Sequence, residues 1–128
     1  MSRDLITNWF NKLPTAEKDL PLLILDEIAY TPRTTLNEVL RSSDLGNKLQ
    51  TLVETGRFGT TSIEEQQIAK IRLQQILGSK PDKPLFATLS GKVFTPSELL
   101  AEIQSGTAIG NQWLQTEISQ MRRLVSIR

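Results

Sequence analysis

Two glutamates, Glu38 and Glu102, stand 64 residues apart in matching contexts. Paired carboxylates are a common instrument of acid–base chemistry. The rest of the composition narrows what these two can do. The 128-residue chain has no histidine and no cysteine. That removes the commonest general base, the commonest transition-metal ligand, thiolate nucleophiles, disulfides and zinc-finger sites. No phosphate loop, dinucleotide glycine signature, metal-ligand spacing or nucleophile elbow occurs. No other titratable residue recurs beside the two glutamates. A repeated helix-surface glutamate that bonds a nearby arginine or backbone group is the simpler reading. The sequence therefore predicts no catalytic residue, no metal and no cofactor.

A second shared pair is Gly46-Asn47 and Gly110-Asn111. Glycine inside a helical pattern costs about 1 kcal/mol relative to alanine. Close packing against another backbone explains it most simply. The alternative is an anion or partner backbone approaching the helix start, with asparagine as donor. On that alternative the candidate partner-binding residues are Gly46, Asn47, Lys48, Gly110, Asn111, Gln112 and Gln115, with Arg122 and Arg123 in the basic, apolar tail.

The elements that would position these residues follow from the repeat. Residues 30–49 align without a gap on residues 94–113, with six identities over 20 pairs. The identities are Thr31/Thr95, Pro32/Pro96, Leu36/Leu100, Glu38/Glu102, Gly46/Gly110 and Asn47/Asn111. Threonine followed by proline starts a helix. Thr95 with Glu98 completes a capping box, whereas the first copy has Thr34 at that place and a weaker cap. Leu36, Val39 and Leu40, and in the second copy Leu99, Leu100 and Ile103, share a helical face. Ser42-Ser43 and Ser105-Gly106 break these helices, and Ser43 and Thr107 cap the next ones. The last helix, from about Ala108 to Val125, carries the stripe Ile109, Trp113, Ile118, Met121 and Val125. Trp9 and Trp113 are expected in the core.

Upstream, "KPLFATLSGKVFTP" reads as a hairpin turning at Ser90-Gly91. "LPLLILDEIAYTP" has the same layout, with Asp26-Glu27 at the turn. The repeat favours a hairpin there, and a buried helix over Leu20 to Tyr30 is the alternative. A helix precedes each hairpin. One runs to Pro14, and the other starts at Ser62-Glu65 as a capping box and ends at Gly78. Trp9/Leu73 and Leu13/Leu77 keep the 64-residue offset. The expected fold is α+β and predominantly helical. It has two tandem copies of a helix–β-hairpin–helix–helix unit, 1–60 and 61–128, packed as one domain about a pseudo-twofold axis. The two hairpins are expected to pair into one small sheet.

Net charge is +1 overall, so no general attraction to polyanions is implied. Residues 1–64 carry seven basic and nine acidic side chains, whereas residues 65–128 carry eight and five. Chance drift between two copies explains this most simply, and the alternative is a polar molecule that pairs its acidic half with a basic half. No apolar run is long enough to span a bilayer, and the N-terminus lacks the apolar region of a secretory signal. The cytoplasm is the expected compartment, with no membrane role.

These features point first to a non-enzymatic protein–protein interaction module: an adaptor, an assembly factor or part of a larger complex, with itself or another protein as partner. The second reading is a DNA-binding regulator. Residues 95–124 resemble a helix-turn-helix, and residues 34–58 have the same cadence. That resemblance makes the second helix of each pair the recognition helix. It places Asn111, Gln112 and Gln115, or Asn47, Lys48 and Gln50, where side chains read bases. The absence of a basic residue in the last helix before Arg122 ranks nucleic acid below a protein partner.

Overall fold

The computed structural model describes residues 2–126, with side chains from Asp4 onward. Six α-helices and two short hairpins follow one another in the order helix, hairpin, helix, helix, repeated once. Helix α1 spans Ser2–Lys12, strands β1 and β2 span Leu23–Leu25 and Ile28–Tyr30, and α2 and α3 span Pro32–Leu40 and Asp44–Glu54. Then come α4 (Ser62–Gly78), β3 (Phe86–Ala87), β4 (Val93–Phe94), α5 (Pro96–Ser105) and α6 (Ala108–Leu124). The fold is thus α+β and mostly helical.

The helix pairs are built by the residues that recur. Thr31 and Thr95 cap their helices by accepting from the Thr34 and Glu98 amides, and Glu98 returns a bond to the Thr95 amide. The α2–α3 and α5–α6 corners close in the same way. The Ser42 and Gly106 amides donate to the carbonyls of Val39 and Ile103, and the Ser43 and Thr107 amides to those of Glu38 and Glu102. This double bond pattern needs a left-handed residue, supplied by Gly106 at φ 70° and, less comfortably, by Ser42 at φ 56°. Ser43 and Thr107 then cap the following helices through the Gly46 and Gly110 amides. A Cβ on Gly46 would lie 2.2 Å from the Glu38 carbonyl oxygen, and one on Gly110 would lie 2.0 Å from that of Glu102. The glycines let one helix backbone sit directly on the preceding one.

Helix α4 starts one residue earlier than the sequence suggests. Thr61, not Ser62, is the cap, accepting from the Glu64 amide. Glu64 reaches back to Thr60, and Glu65 turns inward to accept from the Phe58 amide. The helix ends at Gly78, as expected, with Ser79 as its C-cap.

Residues 20–30 form a hairpin, not a helix. Leu23 faces Tyr30 and Leu25 faces Ile28, leaving the two-residue turn Asp26-Glu27. Both turn residues take positive φ, 52° and 66°, the geometry that matches strand twist in tight hairpins. The second hairpin pairs Phe86 with Phe94, and a Thr88–Gly91 turn with Gly91 at φ 89° makes a three-residue loop. The single shared sheet expected from the sequence does not form. The described residues hold two separate two-stranded sheets. The reason is burial: β1 is covered by α3 and α4, and its Ile24 amide donates to the Phe58 carbonyl at 2.9 Å, closing that edge.

The core gathers Ile6, Trp9 and Phe10 of α1, all of Leu22 to Leu25, and the inner faces of α3 to α6. On α6 the buried line is Gly110, Leu114, Ile118, Met121 and Val125. Trp113, expected in the core, stands at its edge and is only half-buried. One charged side chain lies at the centre. Arg72, 1% exposed, pairs with Glu17 and Glu117 and donates to the Pro21 carbonyl at 3.3 Å. No helix is long and apolar enough to cross a membrane among the described residues.

Candidate interaction surface

The second hairpin and the start of α6 meet at an open groove. Phe86 and Trp113 meet edge to face, with centroids 5.4 Å apart and planes at 88°. Phe94 flanks Phe86 at 6.3 Å, and the Lys92 ammonium sits 5.2 Å over the Phe94 ring. The Phe86–Phe94 pairing puts Thr88 and Lys92 on the same face, because side chains alternate along a strand. The groove beside Trp113 has a volume of about 720 Å³. Its walls are Phe86, Ala108 and Trp113, with the amides of Asn111, Gln112 and Gln115 and the Thr116 hydroxyl. None of these residues carries a charge.

The opposite face of the hairpin is bare. Leu85, Ala87 and Val93 point away from Phe86, and Leu85 and Val93 remain 45% and 49% exposed. Leu89, at the tip, is fully exposed. A buried hairpin would hide these side chains, as the first one hides Leu22 to Leu25.

The structure distributes the sequence candidates over several places. Gly46 and Gly110 are buried at the helix crossings. Asn111, Gln112 and Gln115 come together at the groove, although the Asn111 amide also donates to the Gly106 carbonyl at 3.2 Å. Asn47 and Lys48 are exposed on α3, and Lys48 borders a separate hollow with Asp26 and Thr60. Arg122 and Arg123 lie near the far end of α6. Arg122 is drawn to Glu65 at 3.4 Å and stacks 5.6 Å from the Phe58 ring. Arg123 borders a hollow with Trp9 and Lys12. Trp9 is buried, and its indole donates to the Leu124 carbonyl at 2.6 Å.

The repeated glutamates are tied to the helix corners. A Glu38 carboxylate oxygen accepts from the Ser43 hydroxyl at 2.9 Å and the other accepts from Arg41 at 3.1 Å. Glu102 accepts from the Thr107 hydroxyl at 3.0 Å. Each thus braces the cap of the next helix. Among the described residues no three carboxylates converge as a metal site.

Two features escaped the sequence reading. One is the exposed hairpin face, which needs the fold to be seen. The other is the Glu17–Arg72–Glu117 cluster, whose signal was present. Glu65 and Arg72 interrupt the run Ile68, Ala69, Leu73 and Leu77 on the inner face of α4. A charge at an inward position of an amphipathic helix marks a buried ion pair.

The chain matches no protein-family model, no curated protein and no solved structure.

Proposed function

We propose that the chain is a non-enzymatic protein–protein interaction module, and that its partner is received by the second hairpin and the first two turns of α6. The observation that carries this reading is the uncharged groove at Phe86 and Trp113, with Leu89 exposed at the tip of the same hairpin and Leu85 and Val93 exposed on its other face. Aromatic walls, side-chain amides and bare aliphatic groups are the composition of protein interface centres. Such a surface suits an apolar segment whose backbone can bond to Asn111, Gln112 and Gln115. It offers no cation at the start of α6 to neutralise a phosphate backbone, which keeps DNA binding the second reading.

The two halves are inferred to be copies of one unit. In each, the first helix packs on both later helices. Each also has an aspartate before the hairpin that bonds the first turn of the following helix: Asp19 with Arg33, and Asp82 with the Ser97 hydroxyl and amide. The second copy is then the one whose hairpin has been left open for a partner.

The test is tagged capture from lysate with four samples: the wild type with and without nuclease, Leu89→Asp and Lys48→Ala. The expected result is a stoichiometric protein that survives nuclease, is kept by Lys48→Ala and is lost with Leu89→Asp. Nucleic acid captured in place of a protein, or equal capture by both variants, would refute the assignment.

A further inference from the structure

We infer that the partner of the second hairpin is the first hairpin of a second copy of this chain. The inference rests on the interaction reading above and names its occupant. The receiving surface combines large exposed aliphatic side chains with unneutralised cations. Lys80, Lys83 and Lys92 are all exposed, and none takes part in an ion pair among the described residues. The nearby carboxylate, Asp82, is occupied by Ser97. A complementary occupant needs an exposed aliphatic group next to exposed acids.

The chain carries that combination at the tip of its first hairpin. Ile28 is 56% exposed, and it follows directly on the exposed Asp26 and Glu27. Neither acid is in an ion pair among the described residues. The other exposed aliphatic residues lack two such neighbours: Leu40 precedes Arg41, Ile71 follows Lys70, and Ile63 precedes a Glu64 already bound to Thr60. The turn itself points the same way. Asp26 and Glu27 both hold left-handed backbone conformations, which glycine or asparagine adopts with less strain. Two carboxylates kept at an exposed, strained tip break a local rule, and although Asp26 borders a hollow with Lys48, neither makes an ion pair among the described residues. Contact with a second copy supplies one.

The excess of acid in residues 1–64 and of base in residues 65–128 runs in the same direction. In a reciprocal contact each copy gives its first hairpin and receives on its second. That arrangement closes as a two-fold dimer. Asp26 and Glu27 would meet Lys92, which lies on the Phe86 face next to the tip, with Ile28 against Leu89 at the tip.

Charge reversal tests this directly. Sedimentation velocity of the full chain from about 1 to about 300 µM covers the range of modest interfaces. The wild type is expected at twice the 14.4 kDa chain mass. The variant Lys92→Glu, and separately the pair Asp26→Lys with Glu27→Lys, should each weaken dimerisation by about tenfold or more. An equimolar mixture of the two variant proteins should regain the dimer, since opposite charges meet at both contacts: the native acidic tip on the native Lys92 at one, and the reversed tip on the reversed receiver at the other. Circular dichroism of each variant confirms that it is folded. A wild type that stays monomeric overturns the inference. So does a dimer indifferent to these charges, or a mixture that does not reassociate. A monomeric wild type whose nuclease-resistant partner is still lost with Leu89→Asp would defeat the self-association and leave the interaction reading standing.

Discussion

The two hairpins occupy equivalent places in the chain order and have opposite fates. The first is embedded: Leu22 and Leu23 are fully buried, Ile24 is 2% exposed, and helices lie on both sides of β1. The second packs Phe94 into the core and sets Phe86 against Trp113, and its other face is open. Composition explains the difference. "LPLLIL" is a continuous apolar run, which suits a strand covered on both faces. "PLFATL" is poorer in large apolar residues, with Ala87 and Thr88 in its middle, and of it only Phe86 packs against the core while Leu85 and Leu89 stay exposed. One hairpin is built into the core, and the other lies at the surface with one face open.

The largest expected effect sets the two strands directly against each other. Ile24→Ala should cost about 3–4 kcal/mol in urea unfolding, as a buried truncation that leaves a cavity. Val93→Ala should cost less than about 0.5 kcal/mol, because half of that side chain is already in water. Equal losses would mean that the second hairpin is as integral as the first. Next comes the support beneath the first hairpin. Arg72→Met removes the donor to the Pro21 carbonyl and strands Glu17 and Glu117, so a loss of about 3 kcal/mol is expected. A stable Arg72→Met protein would show that the cluster is dispensable to the embedding.

The turns separate the hairpins at a smaller scale. Replacing Asp26-Glu27 by Asn-Gly should raise the unfolding midpoint, by about 1 kcal/mol in stability, since both positions have positive φ. Gly91→Ala should lower stability by a similar amount of about 1 kcal/mol, because φ 89° strains any side chain. The smallest effect concerns the aspartates ahead of the hairpins. The side-chain bond from Arg33 holds the Asp19 carboxyl below its ordinary value of 3.8, and the Ser97 hydroxyl does the same for Asp82. Folded-state values below the unfolded ones stabilise the protein above the unfolded pKa. That contribution fades as pH falls through the lowered values. NMR titration should place both below the ordinary aspartate, and Ser97→Ala should return Asp82 alone toward it.

The sequence was legible where local chemistry repeats. The caps at Thr31, Ser43, Thr95 and Thr107 were readable because each depends on residues within five positions. So was the close approach at Gly46 and Gly110. The hairpin of residues 20–30 was readable only through the repeat, since two acids are poor turn formers. The ungapped match covers residues 30–49 and 94–113, and the stretch just before the turns agrees more loosely. The first turn has two residues and the second three, so upstream of the turns the match falls at 63. There Asp19-Leu20-Pro21-Leu22 stands over Asp82-Lys83-Pro84-Leu85, a correspondence hidden from an ungapped comparison at 64. The site was half legible. Asn111, Gln112 and Gln115 were named, but Phe86 and the bare hairpin face depend on which apolar run the helices cover, a tertiary choice. Arg122 and Arg123 were linked to the others by helix membership alone, and α6 carries them about 15 Å away.

The bond from the Trp9 indole to the Leu124 carbonyl joins residues 115 positions apart. On a ribosome the tryptophan emerges first and must wait for its acceptor. At typical synthesis rates that delay is on the order of ten seconds. Leu22 to Leu25 wait as well, since α4 has yet to be made when they appear. The nascent first half is therefore a sticky, incomplete chain that the second half seals on arrival.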